Sequence, residues 1–147
     1  MTSLIIIFNW SLFIPYSEIL DLDHNQLAGT IPADIGRARN LRKLSFQNNS
    51  LTGTIPSEIA HLQNLEELTL SNNFLIGAIP SEIGDMIQLK ILGLELNDLD
   101  GTLPLELFNC TDLESLDLQV NHLTGPLPSK VSQLQALRSR KCNYLLF

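Results

Sequence analysis

The chain has 147 residues, with 9 Lys and Arg against 16 Asp and Glu, a formal net charge of −7 and a pI near 4.7. That balance excludes a nucleic-acid binder, which needs cations to neutralise phosphates, and it opposes an anionic membrane surface. Two cysteines, Cys110 and Cys142, are too few for a disulfide framework and match no zinc spacing.

The chain opens with an apolar segment over residues 1–16. Its core, Leu4–Ile14, is eleven residues long, too short to cross a bilayer but long enough for a signal-peptide core. No Lys or Arg precedes it, Asn9 interrupts it and no small-residue cleavage site lies after it. The alternative readings are a buried cap over the first of the repeated units that begin at residue 17, or sequence from outside the true reading frame.

From residue 17 the sequence repeats every 24 residues through five units: 17–40, 41–64, 65–88, 89–112 and 113–136. Asn25, Asn49, Asn73, Asn97 and Asn121 mark the register; a glycine follows four residues after each, and a proline three residues later, from Gly29 and Pro32 to Gly125 and Pro128. A fixed period in this range indicates a solenoid whose repeats share one continuous core.

Within the third repeat, Leu68 and Leu70 alternate with Thr69 and Ser71, the period of two of a half-buried strand. Each strand is expected to pair in parallel with its copy in the next repeat. Asn73 then ends the strand beside leucines, so its amide must find backbone partners, and the five equivalent asparagines are expected to form a ladder. Gly77 turns the chain, and a second strand segment around Phe74 and Ile76 leaves apolar surface on the flank. Pro80 is expected at the first position of a short helical turn that packs Ile83 and Met86 inward. The predicted fold is an α/β solenoid: a curved stack with a parallel sheet on the concave face and short helical or 3-10 turns on the convex face. Residues 137–147 read as a degenerate sixth repeat, because Arg140 and Cys142 stand where leucines are due.

The segments LAGTIP (Leu27–Pro32), LTGTIP (Leu51–Pro56) and LIGAIP (Leu75–Pro80) resemble the plant-type extracellular leucine-rich repeat, and the likeness spans residues 17–136. That family forms receptor-like kinase and receptor-like protein ectodomains as well as secreted inhibitors. The resemblance implies a non-catalytic module that binds a protein or peptide on its concave and lateral surfaces, as a fragment of a cell-surface receptor ectodomain. A secreted inhibitor of another enzyme, an intracellular repeat scaffold and a non-functional truncation are the alternatives. The cysteine pairs that such ectodomains usually carry around their repeats have no counterpart here.

The outward strand positions form four columns: Asp21, Ser45, Thr69, Gly93 and Asp117; Asp23, Gln47, Ser71, Glu95 and Gln119; His24, Asn48, Asn72, Leu96 and Val120; and Ile19, Lys43, Glu67, Ile91 and Ser115. From them the expected ligand contacts are Asp21, Asp23, Gln47, Ser71, Ile91, Glu95, Leu96, Asp117, Gln119 and Val120. Ile91, Leu96 and Val120 are expected to lie together as an apolar contact patch among polar groups. Asp21 and Asp23 share a face at a carboxylate-pair spacing, but an open sheet provides no desolvating wall, so they read as solvated charges. His24, His61 and His122 occupy unrelated repeat positions. No catalytic group, metal or cofactor is expected. Cys110 takes an inward position, matching Leu62, Met86 and Leu134, as a small hydrophobe; a bond to Cys142 would require a sixth turn. The sequons at Asn9, Asn48 and Asn109 matter only on a secreted chain; Asn109 falls on the convex side, whereas a glycan on Asn48 would shadow the strand face.

Overall fold

The computed structural model describes residues 16–141. The apolar segment before Tyr16, with its sequon at Asn9, and the tail from Cys142 onward lie outside the described residues.

Among the described residues, six short strands form one parallel sheet: β1 (Ile19–Asp21), β3 (Lys43–Ser45), β5 (Glu67–Thr69), β7 (Ile91–Gly93), β9 (Ser115–Asp117) and β10 (Ser139–Lys141), in that spatial order. Each residue faces its copy 24 positions on, as in Leu44 opposite Leu68 and Leu68 opposite Leu92. The sheet includes a strand in the segment read as degenerate. The backbone of β10 pairs in register with β9, setting Arg140 opposite Leu116, and the N–H groups of Arg138 and Ser139 both donate to the Glu114 carbonyl. Main-chain bonds continue the sheet where the leucine pattern has stopped.

The flank carries a second parallel sheet of four strands, β2 (Ala28–Thr30), β4 (Ser50–Gly53), β6 (Phe74–Ala78) and β8 (Asp98–Asp100). Its register advances by 22 residues rather than 24, as in Ile76 opposite Asp98, so its strands are staggered relative to the main sheet. Gly77 lies within β6 at φ +76°, and a Cβ there would come within 3.1 Å of the Thr54 methyl. Both constraints favour glycine at this point.

Among the described residues, five-residue 3-10 turns stand opposite the main sheet at Ala33–Arg37, Ser57–His61, Ser81–Asp85, Leu105–Asn109 and Ser129–Gln133. The prolines precede the turns instead of starting them. Pro80 is extended at φ −63° and ψ 139°, and its carbonyl accepts from the Ile83 N–H at 3.1 Å. Proline's fixed φ suits this entry, where its missing N–H leaves no ladder bond unmade. The next bond, Met86 N–H to the Ile83 carbonyl at 3.2 Å, spans three residues and closes a 3-10 turn. Stacking these turns against strands spaced ~4.8 Å apart bends the array with its main sheet on the concave side.

Leu44, Leu68, Leu92 and Leu116 fill the space between sheet and turns, with Phe46, Leu70, Leu94 and Leu118 beside them, all essentially buried. Each such side chain stabilises the stack by ~1.5–3 kcal/mol when fully buried. The asparagines tie successive turns together across this core. Asn73 Nδ2 donates to the carbonyls of Phe46, Leu70 and Ser71, and its Oδ1 accepts from Leu51 N at 2.9 Å. Asn49, Asn97 and Asn121 repeat this arrangement. Asn25, exposed in the first turn, bonds the carbonyls of Leu22 and Asp23.

Candidate functional site

The concave sheet presents its outward columns unevenly. Asp21, Ile91, Leu96 and Val120 are exposed, and Asp23, Gln47, Glu95, Asp117 and Gln119 are half-buried. Ser71, expected on the outward surface, is buried at 4% exposure, as are Ser45 and Gly93 in the neighbouring column. The cause is size: short side chains lie in the floor between larger neighbours and do not reach the surface.

The carboxylates of this face differ in how far they are already engaged. Asp23 accepts from the Ser45 hydroxyl, the Gln47 amide side chain and the Gln47 N–H at 3.0 Å, and Ser45 in turn bonds the Thr69 hydroxyl. Asp21 lies 3.3 Å from Lys43, which also reaches Glu67 at 3.3 Å. The Asp23 backbone N–H and the Lys43 ammonium hold the Asp21 carboxyl below its ordinary range, and Asp21 first, with Glu67, raises Lys43. Asp21 and Asp23 are therefore parts of internal networks, not a free carboxylate pair.

A second charge row escaped the sequence reading. Glu18, Arg42, Glu66, Lys90, Glu114 and Arg138 recur at the 24-residue spacing with alternating sign. Glu66 bonds both Lys90, at 2.6 Å, and Arg42, and these two cations depress its pKa. Glu114 and Arg138 approach to 4.0 Å. The signal was available in the register: one more column, written out, shows the alternation. A groove of about 330 Å³ lined by Glu18, Ile19, Arg42, Lys43, Glu66 and Glu67 runs along this edge.

The third column turns the chain at the end of each strand. His24, Asn48, Asn72, Leu96 and Val120 all adopt left-handed φ between 53° and 57°. Asn48 and Asn72 suit that conformation, whereas a leucine and a β-branched valine do so at a cost. Asn72 donates to Asn48 Oδ1 at 2.7 Å, and Asn48 Nδ2 lies 3.3 Å from His24 Nε2. The amide that a glycan would modify on Asn48 is thus engaged in this row. Asn109 is exposed at the end of a convex turn.

Leu96 and Val120 are neighbours here: Leu96 N bonds the Gln119 carbonyl and Asn97 N the Val120 carbonyl. Ile91 is not part of their patch. It opens β7, five residues before Leu96, so up to ~16 Å of extended chain separates them. Ile91 instead neighbours Glu67 and Ser115 in the sheet register. The apolar surface is therefore two separate edges with Gly93 and Glu95 between them.

Cys110 is fully buried and free, its Sγ 3.4 Å from the Ile83 carbonyl, and burial pushes its thiol up to about 11. Among the described residues no group of three or more His, Cys, Asp or Glu could hold a metal ion, and no helix is long and apolar enough to cross a membrane.

Comparisons agree with this geometry. The family model for Leucine Rich repeats (2 copies) matches residues 39–83, and that for the Leucine Rich Repeat matches residues 18–38 and 112–134. A search of curated protein sequences gives no match. Among solved structures the chain is similar to the plant peptide hormone receptor RGFR1 in complex with RGF2, at 34% identity and a TM-score of 0.82 over 83% of this chain and 20% of that one. It is similar to the ectodomain of the receptor kinase SOBIR1 from Arabidopsis thaliana, at 32% identity and a TM-score of 0.79 over 86% of this chain and 70% of that one. A plant ice-binding protein matches at 33% identity and a TM-score of 0.77, over 81% of this chain and 39% of that one. The chain thus spans a fifth of the RGFR1 chain and 70% of the SOBIR1 ectodomain. Its repeat register, its two parallel sheets and these matches have one conclusion: the chain belongs to the plant-type extracellular leucine-rich-repeat family.

Proposed function

We propose that this chain is a non-catalytic recognition module, a stretch of a receptor-like ectodomain that receives an extended peptide or a protein segment across its concave sheet outside the cell. The observation that carries this reading is the concave face of the fourth repeat. There Ile91, Gly93 and Leu96 replace the charged and polar residues that occupy the same columns in the two preceding repeats. The result is a strip with apolar side chains at both edges and Glu95 between them. An open strip of mixed character fits a ligand lying across the strands, with apolar anchors in contact and polar groups fixing its register. The likeness to RGFR1, described as a peptide hormone receptor in complex with RGF2, supports the same reading. Similarity to an ice-binding protein on the same scaffold means that the fold alone does not select the ligand, and the side chains of the concave face must do so.

The test is binding of a positional library of 12-residue peptides to the 147-residue chain, compared with Leu96→Glu and Asp117→Arg variants and a convex-face control, Glu82→Arg. Loss of binding in the first two with melting temperatures unchanged, and retention in the control, supports the concave site. Equal binding by all variants refutes it.

A further inference from the structure

We infer that the floor of the fourth repeat holds a receptor point for a primary ammonium group, made by Ser71, Gly93 and Glu95. This inference rests on the concave-face reading above and names the chemistry of one ligand contact within it.

In the preceding repeats, the column that contains Gly93 holds Ser45 and Thr69. Their hydroxyls bond each other, and Ser45 also donates to Asp23. At Gly93 the column has no side chain, and the groups that would meet one remain in place. A Cβ built on Gly93 would lie 3.1 Å from Ser71 Oγ, 3.3 Å from Glu95 Oε2 and 3.4 Å from the Thr69 methyl. Two oxygens, Ser71 Oγ and Glu95 Oε2, thus flank the side of Gly93 that carries no side chain. Both are cut off from solvent and have no hydrogen-bond partner among the described residues. Ser71 as a whole is 4% exposed.

The charge of the missing group follows from these oxygens. A carboxylate oxygen only accepts, and a buried acceptor without a donor is costly. The nearby cations are engaged: Lys43 with Asp21 and Glu67, and both Arg42 and Lys90 with Glu66. Asp117 stands opposite Gly93 in the sheet register and adds a further carboxylate. A cationic donor is favoured over a neutral hydroxyl because it answers the Glu95 charge as well as its lone pair. Two single oxygens from different repeats suit the rotating donors of a compact ammonium better than the planar fork of a guanidinium, which matches a carboxylate bidentately. Leu96 and Val120, exposed along one edge, offer apolar surface for the methylene stem of a lysine. Glu95 is only half-buried, so its long side chain borders the concave face.

The experiment uses the peptide library with lysine, arginine or norleucine at each position, in N-acetylated and free-amine forms, against the wild-type chain, Gly93→Ser and Glu95→Gln. Gly93→Ser restores the side chain that this column carries at Ser45 and fills the side of Gly93 against which the ligand group would rest. The wild-type chain should prefer lysine over norleucine at one position by roughly tenfold or more, the range of a charge-assisted bond. Both variants should cut that preference to about twofold or less while still melting cooperatively. A preference that follows the free amino terminus assigns the same point to an α-ammonium. Binding without any ammonium preference, or a preference untouched by both variants, overturns the inference and leaves the peptide-binding reading standing. Absence of binding by every peptide overturns both.

Discussion

Asn73→Ala separates the asparagine ladder from simple core packing. Asn73 makes four hydrogen bonds, and at ~0.5–1.5 kcal/mol each their sum would reach about 6 kcal/mol. The structure argues for less. Each carbonyl it serves keeps a second donor: Asn49 Nδ2 on Phe46, Asn97 Nδ2 on Leu70, and the Asn48 N–H on Ser71. The group left exposed by the deletion is the N–H of Leu51, a residue only 6% accessible to solvent. One buried orphan donor costs ~1–3 kcal/mol, so the expected loss is about 2 kcal/mol and a melting temperature lower by roughly 6–10 °C. Asn25→Ala, in an exposed position with two bonds to its own turn, should cost well under half as much.

Differential scanning calorimetry on Asn73→Ala, Asn73→Asp and Asn25→Ala gives the comparison. Aspartate keeps an acceptor for Leu51 but turns its other oxygen onto three carbonyl oxygens. It should be worse than alanine at pH 7. Its folded pKa is raised by that setting, so its stability is greatest at low pH and falls as pH rises. If Asn73 only filled space, the isosteric aspartate would be the milder change. That order, or equal shifts for Asn25→Ala and Asn73→Ala, would refute the ladder reasoning.

Gly84→Ala should destabilise by ~1–3 kcal/mol in urea unfolding, because the new Cβ would lie 2.3 Å from the Glu106 carbonyl oxygen, a backbone atom of the next turn that cannot swing away; a neutral result would mean the turns stack less tightly. Glu66 is depressed by Lys90 and Arg42, so its contribution is present above its ordinary value of 4.5 and lost as pH falls through the lower folded value. Melting curves of Glu66→Gln should therefore show a shallower acid-side loss than wild type, a difference that 1 M salt reduces because both cations, Arg42 and Lys90, are exposed. In a Cys142→Ser background, Cys110, with its thiol near 11, should resist a thiol reagent at pH 8 until the chain is unfolded; labelling of the native chain at the rate of a free cysteine would contradict its burial.

The backbone of this protein was legible in its sequence because the same physical demand recurs every 24 residues. Leu68 and Leu70 alternate as a strand must, and Asn73 sits where only a buried amide serves both turns. The proline reading erred by one residue because a five-residue 3-10 turn and the first turn of a helix share the same signature, an extended proline ahead of an inward apolar pair. The second sheet was visible only as the exposed pair Phe74 and Ile76, since its 22-residue register depends on the stagger between turns and not on the pattern itself. The site was less legible. Period two assigns Ser71 to the outward side correctly as a direction, but whether a side chain reaches solvent depends on its length and on its neighbours. Likewise, Asp23 looked free because its partners Ser45 and Gln47 lie in the next repeat, out of reach of any local reading.

In a periodic scaffold, what distinguishes one repeat from the next is where its residues depart from the demands of the stack. The left-handed bend after each strand is such a demand: five residues as different as His24, Asn72 and Val120 all adopt it within a few degrees. Asn48 and Asn72 meet it with side chains that also bond along the row. Leu96 and Val120 meet it against their own preference, at ~1–2 kcal/mol each for a residue forced left-handed, and expose apolar surface as they do so. The scaffold does not explain these two side chains, and neither does it explain Gly93, which leaves two buried oxygens without a donor. All three fall on one side of the same two strands. Local costs that the fold does not require, gathered on one surface, are the reason for proposing this surface, and not another, as the one that receives a ligand.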